Sequence, residues 1–363
     1  MRHRYFHLDP EMIRALLQGM NLQRLFNQLV LASGGDVDQA MDWMRQLQAQ
    51  GYLPDDLDLD ALLEELERQQ VVAGDGEGNY QLTMTGERRI RRSAFEEIFS
   101  GLRRGGPGYH PVRAAGDGVE QLPETRAYRF GDDFRNLDVN RSLHNALTRT
   151  QGGLELTEQD LEVHETEQLT SCATIVAIDI SHSMVLYGED RITPAKKVAL
   201  ALTELIQTKY PRDHLGVLTF GDRAQEVALS DLPYVDAGPY HTNTREALQM
   251  ARGLLSRQKQ PNKQIFLITD GKPSAVTTAG GQIYKNPFGL DLRIVNRTLE
   301  EADQCRRQKI IVTTFMIASD PTLQEFVQRL TQTNRGRAYF ASPDNLGEFI
   351  LADYIRNRRK RVR

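Results

Sequence analysis

The run Ile175-Val176-Ala177-Ile178 is apolar, rich in β-branched residues, and ends directly in Asp179. Two hydroxyls follow at alternate positions, Ser181 and Ser183. An unbroken apolar run closed by a polar loop is how a strand buried on both faces of a parallel sheet reads. Similar runs occupy residues 215–220, 264–269 and 310–317, with shorter ones at 224–229 and 337–340. Helical patterns separate them. Ala195, Val198, Ala199, Leu202, Leu205 and Ile206 share one helix face; Ala247, Leu248, Ala251, Leu254 and Leu255 share another. Thr193 with Pro194 behind it marks the start of the first of these helices. Further helices are expected at 299–307, after Asp320-Pro321 and after Ser342-Pro343. Strands spaced by helices of these lengths predict a doubly wound, mostly parallel α/β sheet. Such sheets place ligands at the loops beyond the carboxyl ends of their strands.

The loop after Ile178 carries a carboxylate and two neutral hydroxyls, a set suited to a hard cation that wants oxygen ligands and keeps some water. The competing reading is that these residues cap the next helix. Two later loops weigh against capping alone. His241-Thr242-Asn243-Thr244 stands just before a helical pattern, and Ile265-Phe266-Leu267-Ile268-Thr269 runs into Asp270. The spacing Asp-x-Ser-x-Ser, with a threonine and an aspartate from two later loops, resembles the metal-ion-dependent adhesion site of von Willebrand factor A (VWA) domains, which are Rossmann-like. The resemblance implies that Ser181 and Ser183 bind the ion directly. It implies that Thr242, with Thr244 as its rival, binds directly in one state of the site and through water in another. Asp179 and Asp270 would act largely through bound water. The ion would be Mg2+ or Mn2+, with one position left open for a Glu or Asp from a partner protein. His182, between the two serines, is expected at the rim; His164 and His241 are expected to be ordinary surface or packing residues.

The chain of 363 residues, net charge −4, has no global field favouring nucleic acid or a membrane surface. Its two cysteines, Cys172 and Cys305, are too few for a disulfide framework or a zinc site and read as reduced core thiols. No stretch reaches the roughly 20 apolar residues of a membrane helix, and the first residues do not read as a signal peptide, so the expectation is a cytoplasmic protein. Enzyme signatures are missing. There is no Gly-x-Ser-x-Gly elbow, no His-Glu-x-x-His and no phosphate-binding Gly-x-x-x-x-Gly-Lys-Ser/Thr loop. A phosphatase of the haloacid-dehalogenase type wants a second acid where Ser181 stands. The chain therefore reads as a binding module, not an enzyme.

Residues 1–100 read as a mostly helical domain. Asp36 caps a helix with Val37, Ala40, Met41, Met44 and Leu47 on one face, and Asp58 or Asp60 opens the next. A glycine-rich turn at 74–78 joins two short strands, and Thr85-Gly86-Glu87 opens another helix. Helix, hairpin and Leu-Thr-x-x-Gly-Glu-Arg resemble the end of a winged-helix domain. That resemblance, with Arg88, Arg89, Arg91 and Arg92 and the basic end at 356–363, carries an alternative reading as a nucleic-acid-associated regulator. Acidic Glu64, Glu65 and Glu67 oppose it. Residues 101–125 read as a Gly/Pro-rich linker, 126–170 as a connecting segment packed on the VWA domain, and 171–363 as the VWA domain. Residues 274–290 read as a long loop beside Asp270.

Arg126-x-Tyr128-x-x-Gly131-Asp132, Thr269-Asp270-Gly271-Lys272-Pro273-Ser274 and Asn334-Arg335-Gly336-Arg337-Ala338 resemble a bacterial VWA group associated with MoxR-type AAA+ ATPases. The resemblance implies an adaptor working with such an ATPase on a client protein that supplies the acid. The A-domain subunit of magnesium chelatase is a second resemblance, implying help in metal insertion. This sequence lacks that subunit's ATPase-like half and its acidic, proline-rich linker.

Overall fold

The computed structural model describes residues 22–76, 78–102, 120–129, 132, 134–150, 155–167, 171–188, 190–270, 272–278, 280–286, 288–317, 321–343 and 345–358. The glycine-rich core of the expected linker at 105–118 and the last basic residues, 359–363, lie outside these.

The N-terminal region is helical. Helices α1 (Leu22–Ala32), α2 (Val37–Ala49) and α3 (Leu59–Arg68) precede a hairpin of β1 (Val72–Gly74) and β2 (Tyr80–Leu82), and α4 (Met84–Leu102) follows. Asp36 caps α2 by accepting from Gln39 N at 2.9 Å. Asp58, rather than Asp60, caps α3, accepting from Ala61 N at 2.9 Å. Helix α4 starts at Met84, one residue earlier than Thr85 predicts, because Thr83 Oγ1 accepts from Gly86 N at 3.1 Å. Two of the exposed-looking arginines of α4 are engaged within the fold. Arg89 donates to Gln69 at 2.6 Å, and Arg92 pairs with Glu96 at 3.1 Å.

The described residues within 106–171 and 353–363 form a separate compact unit. In it β3 (Glu120–Ala127) pairs antiparallel with β4 (Glu162–Glu167), and α5 (Val139–Arg149) lies between them in sequence. Residues 120–125, read as linker from sequence, are thus strand. The Arg126…Asp132 motif is a bidentate ion pair, both N–O distances 2.7 Å, and it holds the Asp132 carboxyl below its ordinary range. Arg149 grips Asp160 in the same way, at 2.9 Å twice.

The remaining elements build a six-stranded sheet, the helices around it and a separate two-stranded hairpin. They are β5 (Cys172–Asp179), α6 (Ile192–Lys209), β6 (His214–Phe220), β7 (Ala224–Val227), α7 (Thr244–Ser256), β8 (Asn262–Thr269), β9 (Ala275–Thr277), β10 (Ile283–Lys285), α8 (Leu292–Arg307), β11 (Ile310–Met316), α9 (Pro321–Asn334), β12 (Arg337–Phe340) and α10 (Leu346–Arg358). The strand order is β12-β11-β8-β5-β6-β7, with β7 antiparallel and the other neighbours parallel. The doubly wound α/β prediction holds. All eight residues of β5 are buried. Ala173, Ile175 and Ala177 meet Leu218 and Phe220 of β6, Ile265 and Leu267 of β8, and the inner faces of α7 and α8. Each large aliphatic side chain so buried contributes about 1.5–3 kcal/mol. Helix α6 packs on β5 and β6 and in turn carries α4 along its length. Asp190, not Thr193, caps α6, accepting from Ile192 N at 2.9 Å and Thr193 N at 3.0 Å.

The chain leaves β5 toward β6 and β7, then crosses to the other side for β8, β11 and β12. This reversal falls between β5 and β8, so their carboxyl ends border the crevice where such sheets bind ligands.

Candidate metal centre

Strands β5 and β8 run in register with Ile178 opposite Ile268, which sets Asp179 beside Thr269 and puts Asp270 one residue on. Thr269 Oγ1 donates to Asp179 Oδ2 at 2.6 Å, and Ser181 N donates to Asp179 Oδ1 at 2.9 Å. The Ser181 and Ser183 hydroxyls are 3.1 Å apart. Asp179 and Ser181 are fully buried and Asp270 nearly so. Burial, and after it the charge of Asp270, push the Asp179 carboxyl up to about 7, against the hydrogen bonds from Ser181 and Thr269. Asp270 Oδ1 is buried and accepts no hydrogen bond among the described residues. An orphaned carboxylate oxygen inside a protein is costly unless a cation or proton answers it.

The Thr242 loop joins the loops of Asp179 and Asp270. Gly238 N donates to Ile180 O at 2.7 Å and His182 N to Pro239 O at 3.2 Å. The approach is close enough that a Cβ on Gly238 would lie 2.7 Å from Ile180 Cδ1. On its other side Thr242 N donates to Ser274 Oγ at 3.0 Å, and Thr242 O accepts from Ser274 N at 3.0 Å and Ala275 N at 3.1 Å. Direct contact and charge coupling thus unite Asp179, Ser181, Ser183 and Asp270, and backbone pairing brings the Thr242 loop to them. Thr244 lies behind the helix cap, in the first turn of α7, where Asn243 accepts from Glu246 N at 3.1 Å.

Residues 274–290, expected to be a loop, contain the hairpin of β9 and β10, with Val276 opposite Tyr284. Sequence reasoning also missed Thr269 and Ser274. Both stand in the Thr-Asp-Gly-Lys-Pro-Ser motif, and that motif was the available signal. His182 stands at the rim with its ring 4.8 Å from that of Tyr240, which is 75% exposed. His241 Nδ1 lies 3.3 Å from Asp222 Oδ1, so it packs into an ion cluster with Lys285. His164 stands 3.6 Å from Asp138 in the separate unit.

A family model described as Rv0959-like protein, vWA domain, matches residues 172–355, half of the chain. The chain belongs to the Rv0959-like vWA family. A second model, the third domain of Rv0959-like proteins, matches residues 120–166, the segment that holds β3, α5 and β4. Curated relatives of this family include the uncharacterized protein Rv0959 of Mycobacterium tuberculosis and the uncharacterized protein Mb0984 of Mycobacterium bovis. Each is 31% identical over 358 residues, covering 91% of this chain and 52% of the relative. The chain therefore spans about half the length of the curated relatives it matches. Among solved structures, the vWF domain of the type V pili tip protein Mfa5 from Porphyromonas gingivalis is similar at 12% identity, TM-score 0.42, covering 54% of this chain and 98% of that one. The PilB minor pilin from Streptococcus sanguinis is similar at 13% identity, TM-score 0.43, covering 55% and 64%.

Proposed function

We propose that this Rv0959-like vWA protein is a metal-dependent protein-interaction module. Asp179, Ser181, Ser183, Thr242 and Asp270 would hold Mg2+ or Mn2+. The observation that carries this reading is the orphaned, buried Asp270 Oδ1 next to an Asp179 whose carboxyl is pushed up to about 7. Two neighbouring buried carboxylates do not both ionise without positive charge between them. The candidate donors are all oxygen, two carboxylates and three hydroxyls, which suits a hard cation. Among the described residues no three His, Cys, Asp or Glu side chains cluster as an alternative metal site. A bound divalent ion supplies a positive centre for an incoming carboxylate. The chain's own part is to hold the hydroxyls of Ser181 and Ser183 together, to orient Asp179 through Thr269, and to keep bulk water from the buried acids.

vWA domains mediate protein–protein interactions, and the chain carries that domain. The Arg126, Asp270 and Asn334 motifs support a MoxR-type AAA+ ATPase as working partner, with a client protein presenting the Glu or Asp. The exposed surface of residues 22–102 would then dock one of the two. A purified MoxR-type ATPase and its client, passed over the immobilised chain, tests this. Retention in Mg2+ that is lost with EDTA and in Ser181→Ala supports the proposal; equal retention in all arms overturns it.

A further inference from the structure

We infer that the β9–β10 hairpin is a clamp on the Thr242 loop and that Ser274 is the positioning residue through which it acts. The inference rests on the metal-site reading above. Ser274 takes the Thr242 amide on its hydroxyl at 3.0 Å and gives its own amide to the Thr242 carbonyl at 3.0 Å, so both backbone groups of the threonine are committed. Ser274 is nearly buried and Thr242 more so, which makes these bonds costly to break.

The hairpin is itself anchored on both sides of that threonine. Asn243 Nδ2 donates to Thr277 Oγ1 at 2.9 Å, and Arg245 Nη1 to the Thr277 carbonyl at 2.7 Å. Thr277 Oγ1 also bonds Glu246. Across the sheet edge Arg223 Nη2 donates to Gly281 O at 2.9 Å, and Lys285 pairs with Asp222. Asn286 N closes the ring on Ser274 O at 2.9 Å. The resemblance to adhesion-type sites implies a threonine loop that shifts between direct and water-mediated binding. Here a shift of Thr242 breaks its bonds to Ser274 and Ala275 and strains the hairpin. This chain's site is thus held in one geometry, and its metal affinity depends on a hairpin that supplies no ligand.

The test uses the full chain with Ser274→Ala, which removes the acceptor for the Thr242 amide, and Ser274→Thr, which keeps a hydroxyl. Mg2+ affinity by titration calorimetry, Thr242 amide hydrogen exchange and thermal melting are measured on each. The expected result is Mg2+ binding weakened about tenfold or more in Ser274→Ala, as for other groups that orient metal ligands. Exchange at Thr242 is faster in that variant, and Ser274→Thr stays near the wild type in both. Should Ser274→Ala not fold, Thr277→Val carries the test, with a smaller loss of the same sign. Unchanged Mg2+ affinity and unchanged exchange in the alanine variant overturn the clamp. A wild-type chain that takes up no Mg2+ overturns the metal reading instead, and the exchange measurement still decides whether Ser274 pins Thr242.

Discussion

Lys196 Nζ, buried on the helix that follows the Ser181–Ser183 loop, donates to the carbonyl of Leu31 at 2.5 Å, at the end of α1. The same ammonium donates to Val235 O at 2.9 Å and Pro233 O at 3.2 Å. One cation therefore ties together the N-terminal helices, α6 and the segment that leads into Thr242. It also sits where the C-terminal carbonyls of α1 favour positive charge.

Replacing that ammonium takes its hydrogen bond from two buried carbonyls, Leu31 and Pro233, and from the part-buried carbonyl of Val235. At about 1 kcal/mol or more for each unsatisfied group, Lys196→Met is predicted to lower stability by about 3 kcal/mol in urea unfolding. Limited proteolysis of the variant is predicted to cut first within residues 22–102. A variant as stable as the wild type would show that the three contacts carry no net weight.

The Cys305 thiol faces Glu301 on its own helix, with Arg252 nearby. Burial first, and then the Glu301 charge, push it up to about 12, with Arg252 opposing. Cys172 is buried too. Iodoacetamide at pH 8 is predicted to label neither cysteine in the native chain and both in urea. Native labelling of Cys305 at the rate of a free thiol would contradict its placement.

Asp160 is held well below the usual carboxylate range, chiefly by the Arg149 guanidinium and then by Thr157. Its folded value lies below the unfolded value of about 3.9. The pairing therefore adds stability above about pH 4, and this contribution drains away as the pH falls toward the folded value. Asp160→Asn is predicted to be less stable than the wild type at pH 7, with the gap narrowing below pH 4. A gap that does not change with pH would mean that the charge is irrelevant.

Legibility in the sequence followed the range of the interactions. Asp179 and Asp270 could be read because each ends a buried β-branched run, and Asp36 and Asp58 because a helix cap is a local device. Asp190 and Thr193 both satisfy cap chemistry, and only the fold of the preceding loop chose between them. Strand β3 is mostly polar, carries Pro123 in its middle, and exists because β4 pairs with it from far along the chain. Strands β9 and β10 are three residues each, too short to show a period. The roles of Ser274 and Lys196 are tertiary. A serine beyond a Lys-Pro and a lysine inside an apolar helix face carry no local sign of the backbone groups they meet.

Titration of the chain with MgCl2 by isothermal calorimetry, beside Asp270→Ala, tests the central claim most directly. The account predicts saturable uptake of one ion by the wild type and its loss in the variant, which removes the orphaned oxygen. No uptake of Mg2+ or Mn2+ by the folded wild type, or equal uptake by Asp270→Ala, would contradict it.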